Sequence, residues 1–120
     1  MGLQTFSEGA AMHFLTVLTT VATQADAERL ASGAIAQRLA ACAQFEPIQS
    51  CYVWQGGVVQ EGEYRLLFKT SDAGYAALQT WLLAQHPYEL PAIYALATQY
   101  AHAPFAAWVA DSVADAGSSQ

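Results

Sequence analysis

The sequence predicts an α+β fold, a ferredoxin-like β-α-β-β-α-β sandwich with an extra C-terminal helix and a long hairpin joining its second and third strands. Three observations carry this. Apolar, β-branched runs of strand length alternate with stretches of helical spacing in that order. A Gly56-Gly57 pair separates two long alternating runs, a hairpin signal because both turn residues tolerate positive φ. And 120 residues with 54% hydrophobic side chains are enough for one core and too few for two domains.

Taken in order, residues 1–11 show no periodicity and read as a flexible N-terminal extension, 12–114 as a single domain, and the small polar residues 115–120 as a disordered tail. Met12 to Thr19 is a buried strand. Thr23, with Asp26 three residues on, makes a capping box, and Ala27, Leu30, Ala31, Ala34, Ile35 and Leu39 follow at helical spacing to near Cys42. Phe45 to Trp54 alternates as a strand, with Pro47 demanding an edge or a bulge because it lacks a donor. Val58 to Thr70 alternates again. Ser71 or Asp72 caps a second helix whose stripe is Tyr75, Leu78, Leu82 and Gln85, and which stops at His86-Pro87 because the residue before proline disfavours helix. Pro91 to Thr98 is the fourth strand. Pro104 to Val113 is a last helix, expected to bury Phe105, Trp108 and Val109, with proline suited to its first turn.

The hairpin strands are longer than their neighbours, so the hairpin must overhang its own sheet. Unpaired backbone on a long, sparsely charged strand invites pairing with another chain, which predicts a closed oligomer. With Gly56-Gly57 as the turn, Tyr52 opposes Glu61, Ser50 opposes Glu63 and Ile48 opposes Arg65. One face then carries Val53, Tyr64, Leu66 and Phe68 for the helices to cover. The other mixes Tyr52, Trp54, Glu63, Arg65, Leu67 and Lys69, which fits a wet subunit interface or a half-exposed sheet with solvated ion pairs.

Composition excludes several functions. Net charge is −6, with three arginines and a single lysine, so there is no patch for phosphates: neither nucleic acid nor an anionic membrane is a partner. Phe14 to Ala22 is too short to span a bilayer and has no basic residue before it, leaving the cytoplasm as the expected location and Cys42 and Cys51 as reduced thiols. The first loop, Thr19 to Thr23, has no Cys-x-x-Cys for a soft metal and no arginine or glycine cradle for a phosphate ester. No nucleophile elbow, His-Glu-x-x-His or phosphate loop occurs, so the chain does not read as an enzyme and needs no organic cofactor. Cys42 is a thiolate candidate or a small buried hydrophobe. His86 is a metal ligand or a donor to a backbone carbonyl, and Lys69, on the face of Glu61 and Glu63, is an interface ion pair or an anion ligand.

The segments Thr19-Thr20, Arg38-Leu-Ala-Ala-Cys42-Ala, Pro47-Ile-Gln-Ser-Cys-Tyr52-Val-Trp54, Leu67-Phe-Lys69-Thr70 and His86-Pro87-Tyr88-Glu89-Leu-Pro91 resemble the CutA family of divalent-cation tolerance proteins. The resemblance spans residues 12 to about 113. It implies a cytoplasmic homotrimer built like the PII signalling proteins, with sheets inward, involved in the response to divalent metal ions and binding copper. It makes Cys42 and His86 the candidate copper ligands, since that metal favours sulfur and imidazole. It places Tyr52, Trp54, Glu63, Lys69 and Tyr88 in a cleft between subunits, where a PII-like signalling or scaffold protein would bind a small ligand, such as an anion, or a partner. Where the family usually has Pro-Glu after the His-Pro-Tyr segment, Ala92 follows Pro91, removing an oxygen ligand for a hard cation.

Overall fold

The structure, a computed structural model, describes residues 13–114. The expected extension at 1–11, the first residue of the expected domain and the expected tail at 115–120 lie outside the described residues. Within them the order is β1 (Leu15–Val21), α1 (Gln24–Ala36), β2 (Cys42–Trp54), β3 (Gly57–Thr70), α2 (Tyr75–Gln85), β4 (Tyr94–Ala97) and α3 (Ala103–Ser112). The strands form one antiparallel sheet in the order β2-β3-β1-β4, the ferredoxin-like arrangement.

Local chemistry accounts for most boundaries. Thr23 is the N-cap of α1, its hydroxyl accepting from the Asp26 N–H at 3.1 Å, as the capping box requires. That helix ends at Ala36, well before Cys42, because Arg38 takes φ +57° and turns the chain. Helix α2 starts at Tyr75 behind Gly74 with no side-chain cap; Ser71 instead accepts from the Gly74 N–H at 3.0 Å in the preceding turn. The first strand runs two residues further than expected, β2 begins three residues earlier, and β4 keeps only four residues, since its neighbour β1 pairs with it over Leu15 to Leu18 alone.

The hairpin turn is Gln55-Gly56, not Gly56-Gly57. Both residues have positive φ (+52° and +81°), and Trp54 pairs with Gly57, so the register is two residues off the expected one. Tyr52 opposes Val59, Ser50 opposes Glu61 and Ile48 opposes Glu63. A slip of two preserves which side chains share a face, whereas a slip of one would exchange them. Pro47 sits on the edge strand β2, where a missing donor is tolerated.

The helix-covered face holds the core: Val17, Val21, Leu66 and Phe68 from the sheet against Ala27, Leu30, Ala34, Leu78 and Leu82 from α1 and α2. A satellite cluster joins Phe14 to Ala106 and Val109 of α3. Phe105 and Trp108 are not buried as expected, being 38% and 47% exposed while stacked on each other. Val53 belongs to the helix-side face by parity but is 72% exposed, because the hairpin outruns the helices. β1 pairs β3 only over Tyr64 to Thr70, so residues 57–63 and their β2 partners 48–54 project past the body of the sheet. The molecule is accordingly long, 57 × 32 × 22 Å.

Candidate ligand groove

Even positions of β2 and odd positions of β3 lie on the face the helices leave open. Across its projecting half runs a groove of about 880 Å³, lined by Ile48, Ser50, Tyr52 and Trp54 from β2 and Glu61, Glu63 and Arg65 from β3. Pro87 to Leu90 and Ala92 close it from the other side. Pro87 explains that wall, because α2 cannot continue into it and the chain crosses extended beside the end of β1, where β4 gives no cover.

Two phenol–carboxylate pairs organise the groove. Tyr88 donates to Glu63 Oε2 at 2.6 Å, and Tyr52 donates to Glu61 Oε2. Glu63 is only 6% exposed. Desolvation first, then the hydrogen bond to Glu63 and its charge, holds the Tyr88 phenol well above its usual range. For Tyr52 the Glu61 hydrogen bond dominates, pushing the phenol up to about 12. Both stay protonated donors at neutral pH. Arg65 spends its charge elsewhere, its Nε and Nη2 donating to Glu46 Oε2 at 3.1 and 2.8 Å.

His86 holds the wall in place. Its Nδ1 accepts from the Tyr88 N–H at 3.1 Å, so the neutral ring carries its proton on Nε2, which lies 2.9 Å from Thr19 Oγ1. Burial, against opposing effects from the Thr20 backbone and Asp26, lowers its pKa and favours that neutral form.

Of the residues singled out in the sequence, Tyr52, Trp54, Glu63 and Tyr88 meet in this groove. Lys69 does not. It shares their face but lies six residues from Glu63 along β3, about 20 Å at strand rise, and donates to Gln44 at 2.6 Å rather than to a carboxylate near Glu61 or Glu63. Cys42, paired with Lys69, is half-exposed on the open face, while His86 contacts Thr19, which is buried on the helix face. A single protomer therefore does not bring Cys42 and His86 onto one ion. Among the described residues no group of three His, Cys, Asp or Glu side chains is placed to hold a metal. Cys42 and Cys51 are both free and lie nine residues apart on one strand, on opposite faces. Glu89 and Leu90 complete the groove without having been singled out. The Glu89 carboxylate was visible in the sequence, but the path of its loop was not.

Comparison with known proteins agrees with the architecture. Residues 15–112 match the family described as CutA1 divalent ion tolerance protein. A probable divalent-cation tolerance protein cutA homolog of Encephalitozoon cuniculi is 35% identical over 101 residues, covering 84% of this chain and 89% of that one. CutA of Synechococcus elongatus superposes with a TM-score of 0.82 at 40% identity, covering 86% of this chain and 92% of that one. The Cut A1 protein of Thermus thermophilus gives 0.80 at 34% identity, covering 86% and 100%.

Proposed function

The chain belongs to the CutA1 divalent ion tolerance family, and from that premise we propose that it works as a cytoplasmic homotrimer in the response to divalent metal ions, its subunits meeting through the open sheet face. The projecting hairpin carries this reading. Its outer half has a ladder partner on one side only, Val53 and Val58 near the tip are 72% and 73% exposed on the helix side beyond the reach of the helices, and Tyr94 and Leu96 leave apolar surface uncovered on the open face. Such surface and such edges are a liability until another copy covers them. Light scattering tests it: the expected mass is three times 12.8 kDa, and a monomer at micromolar concentration overturns the assembly.

Copper is the ion we assign, with the Cys42 thiol as its donor, because a soft ion favours sulfur and this thiol is free on the open face. The described residues of one protomer do not complete a copper site, and on this reading the remaining donors come from across the subunit contact. Both nitrogens of His86 are engaged, and the ring serves a copper ion only by releasing Tyr88 or Thr19. Calorimetric titration with copper on the wild type and Cys42→Ala is the test. Binding is expected to weaken while the trimer persists, and identical isotherms remove Cys42 from the site.

The groove favours a second reading, a PII-like binding module in which Tyr52, Trp54, Glu63 and Tyr88 recognise a small molecule. Any contribution from Lys69 must then come from a neighbouring copy. Neither reading invokes catalysis.

A further inference from the structure

We propose that the groove binds a small organic cation, an ammonium-bearing molecule seated on the Glu63 and Glu61 carboxylates and bounded by the faces of Trp54, Tyr52 and Tyr88. The proposal rests on the second reading above and fixes the chemistry of its ligand, against the anion that a lysine in the cleft suggested.

Charge decides the sign. Three carboxylates, Glu61, Glu63 and Glu89, line the groove against one guanidinium, and that of Arg65 is held by Glu46. The two phenols have each spent their only proton on a carboxylate, so they offer an entering molecule lone pairs and aromatic faces rather than donors. An anion would meet like charge, with the Arg65 guanidinium and both phenols already engaged.

Glu63 makes the need for a cation specific. It is 94% removed from solvent by its 6% exposure, and only Oε2 is satisfied, by Tyr88; among the described residues Oε1 accepts no hydrogen bond. A buried carboxylate with half its acceptors empty and no ion-pair partner is costly to maintain. An ammonium group supplies both the missing donor and the missing charge, and tyrosine and tryptophan rings attract cations through their faces. A bare divalent ion fits less well, since hard cations require six or more oxygens and no trio of acidic or imidazole ligands converges here among the described residues.

The experiment is calorimetry on the full-length protein with ethanolamine, choline and spermidine, set against 3,3-dimethylbutan-1-ol, the uncharged isostere of choline, and against citrate. At least one ammonium compound is expected to bind, choline about tenfold or more tighter than its isostere. Glu63→Gln, and Glu61→Gln should the first variant fold poorly, is expected to weaken ammonium binding about tenfold. Equal affinity for choline and its isostere, or binding of citrate alone, overturns the cation proposal while the ligand groove survives. No binding by any of the five compounds brings down both. Tighter ammonium binding in Lys69→Ala identifies the natural occupant as a lysine of a neighbouring copy, which also overturns a small-molecule site.

Discussion

Replacing Tyr88 by phenylalanine isolates the bond that holds the groove wall to the sheet. The ring still shields Glu63, which is 6% exposed, but the carboxylate loses its one described donor. Hydrogen bonds to charged groups contribute about 1.5–3 kcal/mol. Tyr88 is itself only half-buried, which puts the expected loss at the lower end, about 1.5–2 kcal/mol at pH 7. Guanidinium denaturation at fixed protein concentration measures this. A double-mutant cycle with Glu63→Gln should return a coupling of about 1 kcal/mol, because the neutral pair is worth only about 0.5–1.5 kcal/mol. Equal losses in the two backgrounds would refute the account.

Further outcomes follow from the same structure. His86 has a lowered folded-state pKa, so the unfolded chain takes up the proton first: its contribution is complete above about pH 6.5 and is lost as pH drops through the folded value. His86→Asn keeps an acceptor for the Tyr88 N–H without titrating and should flatten the stability profile between about pH 7 and 5; an unchanged slope in urea titrations contradicts this. Gly33 marks the close approach of α1 to α2, where an added Cβ would lie 2.7 Å from the Trp81 ring. Gly33→Ala should gain about 1 kcal/mol of helix propensity yet lose more to overpacking, lowering stability by about 1–2 kcal/mol with a changed near-ultraviolet Trp signal; a stabilised variant would show that Trp81 moves freely. At the hairpin tip, Gln55→Asn suits the left-handed φ of +52° and should raise stability by about 0.5 kcal/mol. A fall in melting temperature would mean that the Gln55 side chain matters in some other way.

The amino-acid sequence alone specified everything that depends on periodicity and local chemistry. The capping box at Thr23 fixed where α1 begins, and alternation through the hairpin fixed which residues share a face. Five short motifs in order identified the family. Alternation survives a register error of two, which is why Tyr52, Trp54 and Glu63 were placed correctly on one face although their partners across the ladder were not. The turn itself was misplaced because a Gly-Gly pair allows positive φ without requiring it, and Gln55 took that conformation in its stead. What tertiary structure decided is where segments distant in sequence come to rest. Strand periodicity gives a face but not a position along it, so Lys69 looked like a neighbour of Glu61 and Glu63 until the ladder set it about 20 Å from Glu63. Nor does any local pattern reveal that His86 would lie against Thr19 on one side of the sheet while Cys42 stayed on the other, or that the segment after α2 would carry Tyr88 onto Glu63. Those placements arise because the loop has no ladder of its own to obey, and its polar groups must find partners wherever the packed helices deliver it.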